Sequence, residues 1–596
     1  MTSFINALDK YTSKQPPLQL GENGHSEYGW SSDIIEKIVQ FQFQIVRTNS
    51  SQQFVLAGIL RELLQKLYNK NSLTEYCDCT RTECLRVLYC ILAQTRDIVD
   101  GKGEYTLSYM MILTWYDFFP ELAKYALETF VLSLTDTYTH PYGSWKDMKY
   151  FAKYAKDAGC PEDHPLILHI LSITNRQLRA DNLAIASATC ASVNQDVAAV
   201  YCSISLASRW IPRQKSARFG WLHRLLAADY FKEYLETCTT IQQKKSAMNK
   251  CLTHYRQLLS KLNRHLDTIQ IKQCDHLWAD IDHAKTPSIT MLKQRKALYN
   301  VTKSGKQRSY DKDRVQCAEN LKQFLESRIK SGNEIKGKRV GLIDFTKNAK
   351  ELIEQNQYSP MTGIEIEMLN SQWRDNGAST GALSNFIAMV DTSGSMTWEG
   401  GDPYNAAIAL GIRVAEKSTI GKRVMTFSTE PVWVNLDHCT GFVDMVKEME
   451  KSNGLAGTGT NFYKALDLCL NAMVENQVSI EDAKNMVLVI FSDMQISEGD
   501  VGYKSMYAGI VSKYVAAGYS QPPHILFWNL RSKNGSPALS RDKNVSEMSG
   551  FSPALLNQFC EKGIEALANL TPWTNLLESL DNPRYANMSK KLEECI

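Results

Sequence analysis

The chain has 596 residues, 44% hydrophobic and 22% charged, with 67 Lys and Arg against 64 Asp and Glu. That length and apolar content suit several folded domains, and they exclude a disulfide-stapled miniature scaffold or a disordered chain. The charge is unevenly spread: residues 201–350 hold 30 Lys and Arg against 13 Asp and Glu, whereas residues 351–500 hold 9 against 21.

A basic middle beside an acidic later section predicts a polyanion-binding surface and a cation site on one chain. The competing reading is that these charges only solvate helix faces. Met1–Lys10 has no basic flank followed by an apolar core, so no secretory signal is expected. The longest apolar cluster, 109–119, is too short to span a bilayer and contains Asp117. Fifteen cysteines lie scattered without framework spacing, which predicts reduced thiols in an intracellular protein. Cys77, Cys79 and Cys84 cluster, but no fourth ligand follows at a zinc-like spacing.

In chain order, residues 1–30 are polar, with Pro16-Pro17 and several Gly and Ser, and read as a flexible arm. Ser32 is a candidate N-cap for a helix opening at Asp33, with Ile34, Ile35, Ile38, Val39, Phe41 and Phe43 as its apolar set. A second amphipathic run covers 54–68. Helices are then expected over 82–99, 107–118, 122–134, 145–158 and 165–180, separated by short Gly, Pro or Asp breaks. Such a succession predicts a solenoid-like α-helical array, although no clean repeat period is visible. Further helices are expected over 197–207, 221–236, 242–263, 289–301, 311–331, 344–355 and 363–374. The small, polar stretch 376–382 reads as a linker.

Beyond it the pattern alternates. Strands are expected over 384–390, 423–427, 432–436, 486–491 and 524–530, with helices over 403–418, 441–451, 462–476 and 501–517. Strand–helix alternation implies right-handed crossovers and a mostly parallel sheet covered on both faces, a doubly wound α/β domain. Asp402-Pro403 fits an N-cap followed by Pro at the first helical position.

The strand Phe386–Val390 ends in Asp391-Thr392-Ser393-Gly394-Ser395. In an open parallel sheet ligands bind outside the carboxyl ends of the strands. One carboxylate and two hydroxyls on a tight loop are hard oxygen donors, which suit Mg²⁺ better than a soft metal. Two later stretches supply what such a site needs. Gly457-Thr458-Gly459-Thr460-Asn461 is a flexible loop entering a helix, and Val487–Ser492 is a second apolar strand ending in an acid, Asp493.

This order, Asp-x-Ser-x-Ser, then Thr, then Asp, resembles the metal-ion-dependent adhesion site of a von Willebrand factor A domain. The resemblance implies Asp391, Ser393, Ser395, Thr460 and Asp493 as ligands of Mg²⁺, with Mn²⁺ or Ca²⁺ as substitutes. Thr460, followed directly by Asn461, matches the family's form better than Thr458, which stays open as the alternative. In such domains an acidic group of a partner fills the open coordination position, which is recognition and not catalysis.

No enzymatic reading fits the same residues. Asp391-Thr392-Ser393 is not the Asp-Thr-Gly of an aspartic protease and has no second copy. An Asp-nucleophile phosphotransferase would want a second Asp where Ser393 stands. No Gly-x-Ser-x-Gly frames the serines, and Gly101-Lys102-Gly103-Glu104 lacks the Gly-Lys-Ser/Thr ending of a phosphate loop. No catalytic residue is therefore assigned.

The helical part carries its own resemblance. Arg96-Asp97…Gly101-Lys102-Gly103-Glu104, Tyr142-Gly143-Ser144-Trp145-Lys146-Asp147, Ala207–Arg213, Tyr255–Leu266, Pro287-Ser288-Ile289 and Ser492–Gln495 resemble stretches of a little-characterised family. That family occurs in plants, fungi, protists and giant DNA viruses, and joins a helical-repeat region to a C-terminal von Willebrand A domain. Its architecture is similar to the TROVE module of the Ro autoantigen, a ring of helical repeats that binds small non-coding RNA.

Arg209, Arg213, Lys215 and Arg218 interleave with Trp210, Phe219 and Trp221, and Lys244, Lys245, Arg256, Lys261 and Arg264 continue the positive supply. Cations neutralise phosphates and aromatics stack on unpaired bases, so these residues are the candidate RNA contacts. Core aromatics and intramolecular ion pairs are the competing reading.

The expected protein is thus multidomain: an arm (1–30), a HEAT-like, TROVE-like α-helical repeat region forming a ring or arc (31–376), an α/β doubly wound von Willebrand A-like domain (377–570) and a helical tail (571–596). The expected function is non-enzymatic RNA or ribonucleoprotein binding, with small structured or single-stranded RNA and an acidic protein as partners and no membrane. The alternative is a protein-interaction scaffold or virion component that uses the metal without nucleic acid. The expected location is cytoplasmic, or the virion if the source is viral.

Overall fold

The computed structural model describes residues 16–69, 80–135, 137–195, 202–302, 304–355, 360–398, 400–453, 459–496, 505–560 and 562–596. A helix-rich part precedes an α/β region with a mixed, mostly parallel sheet. The chain divides into two compact units, the first made of 1–107, 287–293 and 323–596, the second of 108–286 and 294–322. Cys77, Cys79 and Thr458 lie outside the described residues.

In the first unit, β1 (Leu18–Leu20) and β2 (Ser26–Tyr28) form an antiparallel hairpin within the stretch read as an arm. Its tip is held by polar partners remote in sequence. Asn23 Nδ2 donates to the Gln495 carbonyl (2.8 Å), and the buried His25 ring meets the Ile496 carbonyl (2.9 Å). A polar segment whose partners lie that far away has no local signature of order. Helix α1 (Ile34–Gln44) is capped by Asp33 and not by Ser32: the Asp33 side chain accepts from the Glu36 backbone N–H.

Helix α2 (Arg81–Arg96) leads into the Arg96–Glu104 motif, which is a clasp. The Gly101 Cα lies so close to the Gln94 carbonyl that a Cβ would stand 2.1 Å from its oxygen. The buried Lys102 ammonium donates to the Gln42 carbonyl (3.0 Å), the Ile45 carbonyl (3.0 Å) and Ser549 Oγ (2.7 Å). Asp97 receives Arg584 through two hydrogen bonds of 2.7 and 2.8 Å. Together with Asn529 Nδ2 donating to the Phe43 carbonyl (2.9 Å), these contacts tie residues 34–107 to the C-terminal third of the chain. The first helices therefore fold with the sheet. The division at residues 376 and 377 expected from composition does not follow the compact units.

The second unit is helical. Its α3 (Lys146–Asp157) begins at the second motif, where Asp147 accepts from Tyr109 OH (2.5 Å) and from the Ser144 N–H (2.7 Å). The helix Pro165–Gln195 runs well past Ala180. Helix α4 (Ile241–His265) opens with a Thr240/Gln243 capping box, and Cys251, Tyr255, Leu259 and Leu262 form its buried stripe.

Back in the first unit, α5 (Leu342–Gln355) and α6 (Pro360–Gly377) pack on each other and on the helices that flank the sheet, α5 on 402–417 and 442–453 and α6 on 442–453. The Trp373 ring stacks on Phe442 at 3.9 Å, and Arg413 donates to the Trp373 carbonyl (3.0 Å). The stretch read as a linker thus starts inside a packed helix: Asn376 is buried and donates to the Val340 carbonyl (3.2 Å).

Six strands follow: β3 (Phe386–Asp391), β4 (Arg423–Phe427), β5 (Val432–Asn435), β6 (Val487–Ser492), β7 (His524–Asn529) and β8 (Val545–Ser549). Their order is β5-β4-β3-β6-β7-β8, parallel except for β5. The expected strands are all present. β8 was not expected, because Val-Ser-Glu-Met-Ser has no apolar run; its polar residues are nonetheless buried. Helix α7 (Asp402–Lys417) starts with Asp402 inside it, after Gly401 at φ 69°. It crosses β3 at Gly411, where a Cβ would stand 2.5 Å from Val390. That close approach seats the strand carrying Asp391. Helices α8 (Phe442–Asn453), α9 (Phe462–Glu475) and α10 (Met506–Ala516) complete the layers.

Candidate metal centre

β3 and β6 are adjacent and parallel, with Val390 opposite Phe491, so their carboxyl ends open on one edge of the sheet. Asp391 closes β3 and Asp493 follows β6 directly; both are fully buried. The Ser393 N–H donates to Asp391 Oδ1 (2.9 Å), and Ser492 Oγ donates to Asp391 Oδ2 (2.6 Å). A short 3₁₀ turn, Gly394–Thr397, presents Ser395. Its Oγ lies 3.0 Å from Ser393 Oγ and donates to Asp493 Oδ1 (3.3 Å), which also accepts from the Gln495 N–H (3.2 Å). Asp493 Oδ2 is buried without a hydrogen bond, and the nearest cation is Arg531 Nη1 at 3.6 Å.

Thr460 reaches the same edge from the segment that leads into α9. The Asn461 N–H donates to the Ser428 carbonyl (2.7 Å) and the Gly459 N–H to Thr429 Oγ1 (2.9 Å), which fixes the loop against the strand end. Thr460 and Ser395 line one cavity of about 530 Å³ together with Glu22, Asn23, Trp398, Gln495 and Arg531. Four of the five sequence-assigned ligands are joined by hydrogen bonds or share Asp391, and the fifth, Thr460, shares the cavity with Ser395.

Burial raises the pKa of both acids. For Asp391 the second cause is the negative charge of Asp493, opposed by hydrogen bonds from Ser393 and Ser492. For Asp493 the hydrogen bonds from Gln495 and Ser395, then Arg531 and Lys533, oppose the burial. Two buried carboxylates disfavour each other's charge, and a divalent cation between them removes that cost. Among the described residues no three His, Cys, Asp or Glu side chains cluster for a metal. A metal held here would rest on two carboxylates and on hydroxyl oxygens, a donor set that fits Mg²⁺ with several retained waters. The residues present fit such an ion: buried Asp493 Oδ2 accepts no hydrogen bond, with Arg531 Nη1 facing it at 3.6 Å.

Sequence reasoning missed Ser492, Arg531 and the hairpin tip. Ser492 sits at the end of a strand already identified, and Arg531 lies two residues beyond β7 on the same sheet edge, so both carried a positional signal. Glu22 carried none. It accepts from Gln495 Nε2, 473 residues away, and from Lys533 Nζ.

The candidate RNA contacts lie in the second unit. Arg213, Lys215, Arg218, Lys244, Lys245, Arg256, Lys261 and Arg264 are exposed, and none forms an ion pair with a described residue. The reading in which they pair with neighbouring carboxylates is therefore not met at these eight. Arg209 is half-buried, and its pKa is lowered by desolvation. Trp210 and Trp221 are half-buried, each with an ammonium of α3 over its ring: Lys149 at 4.8 Å and Lys156 at 4.3 Å. Those ring faces are engaged by cations of the protein itself.

Residues 385–589, which contain all five candidate ligands, match the model of a domain of unknown function, DUF7788. The whole chain is similar to Uncharacterized protein L728 of Acanthamoeba polyphaga mimivirus, 26% identical over 590 residues, covering 96% of this chain and 89% of the viral protein. A giant-virus relative accords with the family distribution that the motifs imply. No described helix is long and apolar enough to cross a membrane.

Proposed function

We propose that this chain is a non-enzymatic binding protein whose α/β region grips an acidic group of a partner through Mg²⁺, in the manner of a von Willebrand A adhesion domain. The sheet order, with one antiparallel edge strand, is compatible with that fold. The observation that carries the reading is the pair Asp391 and Asp493. Two buried acids, one with an unsatisfied oxygen, meet hydroxyls at the carboxyl edge of a parallel sheet. Asp391 and Asp493 would hold the ion with Ser393, Ser395 and Thr460. The ion would supply a positive centre for an anionic oxygen. The residues themselves fix the loop geometry and keep the carboxylates out of bulk water.

In this reading the helical unit, likened to the TROVE module by its architecture, binds small structured or single-stranded RNA. The support is the set of eight exposed cations at 213–264 that make no ion pair with a described residue. A second reading, a scaffold or virion component that binds no nucleic acid, is favoured by the lysines seated over Trp210 and Trp221, which compete with stacked bases for those ring faces. Filter-binding titrations with structured and single-stranded RNA at several salt concentrations separate the two. Micromolar or tighter binding with a steep salt slope supports RNA, and no binding at low salt overturns it.

A further inference from the structure

We propose that Arg531 is the second anchor for the partner's anionic group and that it selects a carboxylate. The inference rests on the cation reading of Asp391 and Asp493. With a divalent ion in place, the two carboxylates and the metal cancel. Glu22 is already neutralised by Lys533, to which it is bonded. Among the described residues lining the cavity, the charge left facing it is that of Arg531, whose guanidinium lies 3.6 Å from Asp493 Oδ2 and 5.9 Å from the ring of Trp398. One residual positive charge matches one negative charge, so the site is balanced by a monoanion such as a side-chain carboxylate. The planar guanidinium fork is shaped for the two oxygens of that group.

Arg531 has two roles that trade against each other. Without an ion its guanidinium pairs with the Asp493 oxygen that has no hydrogen bond, and it opposes entry of a second cation there. With an ion bound, Asp493 is engaged and the guanidinium is free to meet the incoming carboxylate. The surrounding wall suits a side chain presented by another protein. Trp398 in the cavity lining is two-thirds exposed (66%), and Glu22 and Asn23 of the hairpin tip line the same cavity.

One substitution moves the two affinities in opposite directions. In Arg531→Gln, Mn²⁺ measured by electron paramagnetic resonance binds tighter, on the order of tenfold, because a like charge a few ångströms away is gone. Acetate, followed by the relaxation of its methyl protons by protein-bound Mn²⁺, is held at least about threefold more weakly, the effect of losing a charge-assisted hydrogen bond. Arg531→Lys keeps the charge, so its Mn²⁺ affinity stays near that of the unaltered chain while acetate retention falls through loss of the fork. Arg531→Lys also serves if the Gln variant does not fold. Inorganic phosphate, offered in place of acetate, competes less well. Unchanged acetate retention in both variants, or stronger retention of phosphate than of acetate, overturns the assignment of Arg531. Failure of the unaltered chain to bind Mn²⁺ overturns the cation reading instead.

Discussion

Ser395 Oγ donates to Asp493 Oδ1 at 3.3 Å and so joins the loop after β3 to the loop after β6, 98 residues on. That bond leaves the other Asp493 oxygen buried and unsatisfied beside a second buried acid. Asp493→Asn removes one of two opposed charges while keeping the shape. The metal-free protein is then expected to melt a few degrees higher, since about 1 kcal/mol moves the midpoint by roughly 2–4 °C in domains of this class. The same variant is expected to lose its response to Mg²⁺. Scanning calorimetry with and without the ion reads both.

Lys102 sets the position of the first helices on the sheet. Burial pushes its pKa well down, and it donates to three acceptors, two of which, the Gln42 and Ile45 carbonyls, Ser549 Oγ also reaches at 2.8 and 3.4 Å. Lys102→Ala leaves Ser549 Oγ without its donor and the two carbonyls with one serine hydroxyl between them, a loss of roughly 2 kcal/mol. Urea unfolding checks this, with a lowered midpoint expected. An unchanged midpoint would mean that water replaces the ammonium.

Glu36 on α1 is a buried acid whose pKa is pushed up to about 7 from an ordinary 4.5, by desolvation first. It accepts from the Ser540 N–H (2.9 Å), and its other oxygen is unsatisfied. Because the folded state holds this proton more tightly, its stabilisation is complete below pH 4.5 and is lost as pH rises through about 7. Glu36→Gln keeps the accepting oxygen and removes that dependence. The variant is expected to gain stability over the parent between those limits, reaching roughly 3 kcal/mol above pH 7. The buried His524, held at about 4, acts in the opposite sense in both proteins and cancels in the difference. Denaturation midpoints of the pair at pH 4.5 and pH 8 decide it.

The basic residues of the helical unit predict a uniform electrostatic loss. Replacing Arg213, Lys215 and Arg218 together by Ala is expected to weaken RNA binding across sequences and to lower the salt slope by about 1 for each phosphate contact removed. Lys149→Ala uncovers the Trp210 ring and is expected to leave the slope nearly unchanged. Equal slopes for the triple variant and the parent would remove these three residues from any nucleic-acid surface.

Much of the sheet was legible because β3, β6 and β7 are apolar runs that end in polar residues, the pattern of a strand buried on both faces. The five candidate ligands were legible because each sits at a strand end or helix entrance. What stayed hidden depends on distant partners. β8 reads as a loop since its Ser546, Glu547 and Ser549 find burial only beneath other elements. The hairpin 18–28 is ordered by residues 495, 496 and 536. Gly101-Lys102-Gly103-Glu104 could be set aside as a phosphate loop, yet its part as a clasp required knowing where Gln42, Ile45 and Ser549 lie.

The most direct measurement is thermal unfolding of the parent and of Asp391→Ala across a Mg²⁺ titration. Ligation that favours the folded state adds about 2.7 kcal/mol at a hundredfold excess over Kd. The parent is expected to melt progressively higher with Mg²⁺, while Asp391→Ala shows no rise. A parent indifferent to Mg²⁺, or a variant that responds as the parent does, would contradict the cation site.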